Sequence, residues 1–379
     1  MNPLGLYIHI PYCLHKCGYC DFNSHKINTE EMDSYVTALL REMGHYAKGP
    51  AGEKLITTIF LGGGTPTTLP IHWLEEILQN IHKRFSVSDN CEITFEANPA
   101  TVSLEPLQRM RTAGYNRISI GVQSFHEHEL KLLDRVHSIE EIHMTVERAR
   151  EAGFDNLSLD LMFALPHQTM ALWEDNLAQA LAKNPEHLST YNLTIEPETA
   201  FHTLQAKGKL TLPPDDFQLE FYKKSIQTLT GAGYQHYEIS NFCKPGKQCR
   251  HNLIYWNNDD TLGLGAGASS FLGGTRFKNY NLPSRYIREI GIAGTAVEFT
   301  EQLEPSRAMG ETLMLGLRLK EGMAIPPFEE RFQTSFHKTY DRVISSLTEK
   351  NLITLDDNRI ALSPKGLFLA DSVILEFIA

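Results

Sequence analysis

Apolar, β-branched runs punctuate the first half of the chain at residues 6–10, 57–61, 92–95, 117–122, 156–162 and 187–193. Each has the length of a strand buried on both faces. Between them, residues 29–46, 71–85, 104–113, 139–152 and 171–182 place apolar side chains at helical spacing and stop near Gly or Pro. The alternation predicts βα units on a parallel sheet, and six units predict an α/β fold with a partial or closed (β/α)6 barrel.

Around Pro305 the pattern changes to helices without intervening strands, at 307–320, 327–332 and 336–350. Two strands follow at 352–355 and 359–362 about the turn Asp356-Asp357-Asn358, and a closing helix starts near Pro364. The expected organisation is a barrel with a following segment in 1–300 and a small winged-helix-like domain in 301–379. Winged helices invite a DNA-binding reading. From Glu301 onward, however, there are 12 Asp and Glu against 9 Lys and Arg, and the whole chain carries a net charge of −11. An acidic module does not neutralise phosphates, so packing or protein contact is expected and nucleic acid is not.

No stretch reaches the roughly 18 uninterrupted apolar residues of a membrane-spanning helix, and no charged leader with an apolar run opens the sequence. A reducing, cytosol-like compartment is expected. Cys91, Cys243 and Cys249 have no ligand spacing and read as ordinary thiols.

In a barrel of this kind the chemistry gathers where strands end. The first strand is followed by Cys13, Cys17 and Cys20, spaced C-x3-C-x2-C. Three close thiolates can hold three irons of a cubane and leave the fourth open to an outside ligand. The motif also admits a structural zinc site closed by His9, His15 or His25, while a disulfide scaffold is disfavoured. Later strands end in Gly62-Gly63-Gly64-Thr65-Pro66, Glu96-Ala97-Asn98-Pro99, Gly121-Val122-Gln123-Ser124-Phe125, Asp160-Leu161-Met162-Phe163-Ala164-Leu165-Pro166 and Asn192-Leu193-Thr194. The glycine run lacks the Lys-Ser/Thr ending of a phosphate loop and fits a small zwitterion such as an amino acid. Glu96 can accept from an ammonium or hydroxyl, Arg135 can clamp a carboxylate, and Asp160 can hold ribose hydroxyls.

With Tyr19 inside the cysteine motif and Gly-Gly-Gly-Thr-Pro at the next strand end, the chain resembles the radical S-adenosylmethionine superfamily. The resemblance implies a 4Fe-4S cluster on the three cysteines and S-adenosylmethionine on its open iron. Within that superfamily the segments from Tyr7 to Cys13, Gly121 to Phe125 and Asp160 to Pro166 are similar to the oxygen-independent coproporphyrinogen dehydrogenases over nearly the whole chain. By motif, the resemblance places Tyr7 beside the cluster, Gly63, Gly64 and Thr65 at the methionine part, and Glu96, Gln123, Arg135, Asp160 and Thr194 around the rest of the cofactor.

Two departures matter. Those enzymes carry a further cysteine where this chain has Phe22, and a longer N-terminal extension. Arg250-His251-Asn252-Leu253-Ile254-Tyr255-Trp256 instead matches the H-N-x-x-Y-W signature of the HemW branch. That resemblance implies a haem chaperone in the cytoplasm that delivers haem to haem-requiring acceptor proteins, forms a homodimer on cluster assembly and visits the inner face of the membrane peripherally. His251 is then the expected axial ligand, with Tyr255 and Trp256 as aromatic surface for the porphyrin. The alternative is a radical enzyme acting on a porphyrin, by oxidative decarboxylation or haem opening.

Overall fold

The computed structural model describes residues 3–378. Its first strands are β1 (Pro3–Ile10), β2 (Tyr12–Cys13), β3 (His25–Lys26), β4 (Leu55–Gly63), β5 (Ser86–Ala97), β6 (Arg117–Gln123), β7 (Leu157–Phe163) and β8 (His187–Asn192). Strands β1, β4, β5, β6, β7 and β8 stand side by side in chain order, each parallel to the next. The six expected βα units are therefore present, and the helices Thr29–Tyr46 and Leu104–Ala113 match the expected limits. Helix Ile71–Arg84 shows why the pattern was readable: Leu74, Ile77, Leu78 and Ile81 are buried at helical spacing against the sheet. Each such side chain stabilises the fold by about 1.5–3 kcal/mol through burial.

The sheet does not stop at six strands. Past β8 it adds β10 (Asn241–Cys243) and then β9 (Gln235–Glu238), both antiparallel. Beside β1 it adds β11 (Thr261–Leu264) in parallel, then antiparallel β12 (Ser269–Leu272), β13 (Thr275–Asn279) and β14 (Val297–Gln302). The barrel is thus an open half-barrel with an extension on each edge. These six strands are short and lack the βα rhythm, which hid them from the periodicity reading. One local signal was available: Gly273 and Gly274, both at positive φ, make the two-residue turn between β12 and β13.

The C-terminal part has its own apolar cluster, built from Leu313, Phe328, Phe336, Ile360 and Phe377 among others. The expected wing is there as β16 (Ile353–Leu355) and β17 (Arg359–Leu362), completed by the short β15 (Met323–Ala324). The helix expected at 336–350 is two, Phe336–Thr339 and Asp341–Glu349. Tyr340 breaks it with φ −113° and turns its ring onto Phe336 and Phe377. Backbone hydrogen bonds from Ile239 N–H to Arg318 O and from Lys320 N–H to Tyr237 O tie this part to the sheet.

Candidate functional site

The cysteine loop leaves β1 and is pinned at both ends. Cys13 lies in β2, which pairs in parallel with β3, and the Ile27 N–H donates to the Cys13 carbonyl at 3.0 Å. All three thiols are free, Cys13 buried and Cys17 and Cys20 half-buried. Burial pushes the Cys13 and Cys20 thiols above their ordinary value, so thiolates here call for compensating positive charge.

The histidines available to close a zinc site are engaged elsewhere. His9 Nε2 lies 2.8 Å from the Asn23 carbonyl and must carry the proton, which leaves Nδ1 to accept from the Tyr7 hydroxyl at 3.0 Å. His15 pairs with Asp134 at 2.7 Å, and His25 Nε2 stands 3.2 Å from Asn23 Oδ1. Among the described residues no three His, Cys, Asp or Glu side chains gather around one ion. The donor set suits a cluster that distributes three thiolates over three irons better than an ion that draws four ligands to one point.

The end of β4 stands against this loop. Gly64 N–H donates to Ile10 O and Thr65 N–H to Tyr12 O, both at 2.8 Å. A Cβ on Gly64 would stand 2.7 Å from the Tyr12 carbonyl, and Gly63 has φ +106° with its open side facing the His9 ring. Only glycine fits both places, and the strand end presents bare backbone. Gly63 N–H donates to Glu96 Oε2 at 3.1 Å. Burial, and then the charge of Asp160, pushes the Glu96 carboxyl up to about 7.

Asp160 is not at a strand end but in the middle of β7, facing the interior, where it accepts from Ser119 at 3.1 Å and Ser158 at 3.4 Å. Burial raises its carboxyl, against the opposing serine hydrogen bonds and the charge of Arg117. Gln123 closes β6 at φ +66°, a left-handed conformation uncommon for glutamine and of the kind held at functional sites. Tyr19 is half-buried and meets Phe201 edge-on at 6.1 Å.

Arg135 is on the loop after helix Glu127–Leu132, half-buried rather than a solvated helix residue. Its guanidinium donates to Asn98 Oδ1, to the Gly121 carbonyl at 3.0 Å and to Cys17 Sγ at 3.6 Å. It therefore brings positive charge to the cysteine loop. Thr65 Oγ1 sits 2.8 Å from Asn98 Nδ2 and 3.5 Å from Cys13 Sγ. Thr194 is exposed past β8 and makes no side-chain hydrogen bond among the described residues. On that strand it is Tyr191, two residues beyond the inward Ser189, that looks into the barrel mouth, 40% exposed there. Asn98 and Tyr191 were missed as site residues, and His9, weighed only as a zinc ligand, stands instead beside Gly63; the period-two positions His187, Ser189 and Tyr191 of β8 were the sequence signal for Tyr191.

The signature segment is the helix Arg250–Trp256, lying across the floor of the barrel against β4 and β5. Glu92 of β5 caps it, accepting from Arg250 N–H at 3.1 Å and His251 N–H at 3.0 Å. His251 is 1% exposed, with Nδ1 2.7 Å from Thr58 Oγ1, Nε2 3.1 Å from the Tyr255 hydroxyl, and its ring stacked on Phe60. Burial, helped by the charge of Arg117, lowers its pKa to about 3. Trp256 lies beneath the Arg318 guanidinium at 4.5 Å. In this conformation both ring nitrogens of His251, the expected axial ligand, are occupied within the protein.

Residues 7–180 match the family model of the radical SAM superfamily, and residues 303–369 that of the HemN C-terminal domain. A heme chaperone HemW from Bacillus subtilis is 39% identical over 374 residues, covering 98% of each chain. The heme chaperone HemW of Escherichia coli is 44% identical over 272 residues, covering 71% of this chain and 70% of that one. The solved coproporphyrinogen III oxidase HemN from Escherichia coli, a radical SAM enzyme, superposes with a TM-score of 0.86 at 25% identity, covering 100% of this chain and 90% of that one.

Proposed function

Because the chain belongs to the HemW family within the radical S-adenosylmethionine superfamily, we propose that it is a haem chaperone. On this reading it binds haem and delivers it to haem-requiring proteins, with a 4Fe-4S cluster and an S-adenosylmethionine site on the rim of its half-barrel. The observation that carries the rim assignment is the meeting of three free cysteines with a bare glycine strand end and the Arg135 guanidinium. Cys13, Cys17 and Cys20 would hold the cluster. When bound, such a cluster supplies one-electron chemistry at S-adenosylmethionine.

The protein's own residues bind and orient. The backbone at Gly63 and Gly64 receives the methionine end, with Thr65 behind it and Tyr7 and Tyr19 closing the two sides. The Glu96 carboxylate takes up an ammonium or hydroxyl, while Gln123, Asp160 and, more peripherally, Thr194 line the adenosine side. Arg135 offsets the charge of the thiolates. The residues assigned to the chaperone body are 1–300, with 301–379 as a packing or partner-contact module.

Haem binding through His251 has a structural condition. The ring must give up Thr58 and Tyr255, so ligation belongs to a state in which helix Arg250–Trp256 has withdrawn from the barrel floor. Among the described residues no helix is long and apolar enough to cross a membrane. Membrane contact is therefore proposed as peripheral, and dimerisation on cluster assembly as its companion, to be read by sizing before and after reconstitution.

Haem titration of anaerobically reconstituted protein, run beside a product assay with coproporphyrinogen, tests the reading. Saturable haem binding without decarboxylated product is expected. The likeness to coproporphyrinogen III oxidase favours radical chemistry on a porphyrin as the second reading, and product formation would establish it. His251→Ala is expected to shift the Soret band or weaken haem binding with the iron-sulfur content intact. An unaltered band, affinity and delivery to an apo-acceptor would remove His251 from the haem site.

A further inference from the structure

Asn98 stands just past the end of β5, between two of the three cysteines, and touches neither. Its amide orientation follows from its neighbours. A guanidinium carries only donors, so the Asn98 atom facing Arg135 is Oδ1, and Nδ2 is left to donate to Thr65 Oγ1 at 2.8 Å. The Thr65 hydroxyl, having accepted from Asn98, keeps its one hydrogen, and Cys13 Sγ lies within reach at 3.5 Å. The second arm is direct, from Arg135 to Cys17 Sγ at 3.6 Å. Both arms start at one guanidinium and end with a donor aimed at a cluster thiolate.

We infer that Asn98 is a positioning residue that sets the reduction potential of the cluster, by orienting Thr65 toward Cys13 and Arg135 toward Cys17. The inference rests on the cluster reading above and adds to it. Donors aimed at ligating sulfurs favour the more negative, reduced cluster, and such contacts are among the levers by which a protein tunes its potential. Thr65 is 1% exposed, so water does not supply the missing partner if Asn98 changes.

The sharp test is Asn98→Asp, which keeps the shape. The new carboxylate still accepts from Arg135 but also accepts from Thr65, so the hydroxyl hydrogen swings away from Cys13. In the full-length reconstituted protein, a redox titration followed by electron paramagnetic resonance is expected to give a more negative midpoint than the parent, at equal iron and sulfide content. Thr65→Val should move the midpoint in the same direction. The shift in the double variant should be smaller than the sum of the two single-variant shifts, because one hydrogen bond is lost only once. Should the aspartate variant fail to hold its cluster, Asn98→Ala serves, with a smaller shift of the same sign. Unchanged midpoints, or shifts that add fully, would overturn the inference; a parent chain that assembles no cluster would instead overturn the reading beneath it.

Discussion

The rim and the floor of this half-barrel are built from the same residue types and behave as opposites. At the rim, Cys17 is half-buried on a loop beside a guanidinium, and Glu96 is held by one backbone N–H next to bare glycine. At the floor, Cys249 is buried with its thiol pushed up to about 12 by burial, and Glu92 is spent on the first N–H groups of a helix. His251 at the floor and His9 near the rim both have two partners, but the rim carboxylate Glu96 accepts one N–H where the floor carboxylate Glu92 accepts two, so it is the rim that keeps capacity for a ligand. Residue type does not separate a site from a seal; unspent hydrogen-bonding capacity does.

The cysteines break the comparison most severely. Cys17→Ser should abolish the cluster, since two thiolates hold too few irons, and the iron, sulfide and charge-transfer absorption should fall together after anaerobic reconstitution. Cys249→Ser should keep all three, at a stability cost of about 1 kcal/mol for altering a buried thiol hydrogen bond. Equal iron content in the two variants would erase the distinction between rim and floor.

Gly63→Val comes next. At φ +106° a β-branched side chain is strained, and it would run into the His9 ring, displacing the strand end on which the methionine part is placed. S-adenosylmethionine binding should fall below detection in equilibrium dialysis while the cluster persists. Unchanged affinity would move the cofactor site elsewhere.

Much of the rim was legible before the structure because strand-end motifs carry their position with them. The run Gly62 to Thr65 announces a close backbone approach, and Glu96 and Gln123 follow from where apolar runs stop. The floor was not legible. His251 and Tyr255 are four apart, as a helix would place them, yet whether that helix faces solvent or lies across a barrel depends on Glu92, more than 150 residues earlier. The edge strands escaped for a related reason. They are specified by pairing with β1 and β8 rather than by their own periodicity, and a pattern read one segment at a time does not contain that information.

The smallest effect separates the two carboxylates by pH. Glu96 titrates near 7 because burial and the Asp160 charge favour its neutral form, with Arg117 opposing. If the ionised carboxylate takes the ligand ammonium, protonation competes with binding, so affinity should rise with pH through about 7. Between pH 8 and pH 6 the ionised fraction of such a group falls roughly tenfold, and S-adenosylmethionine affinity should weaken by about that factor. Glu96→Gln should flatten the profile at the weak end, while Glu92→Gln, at the capped helix, should leave its shape unchanged. Dialysis at each pH with iron content checked decides it, and a flat profile in the parent protein would remove Glu96 from the ammonium site.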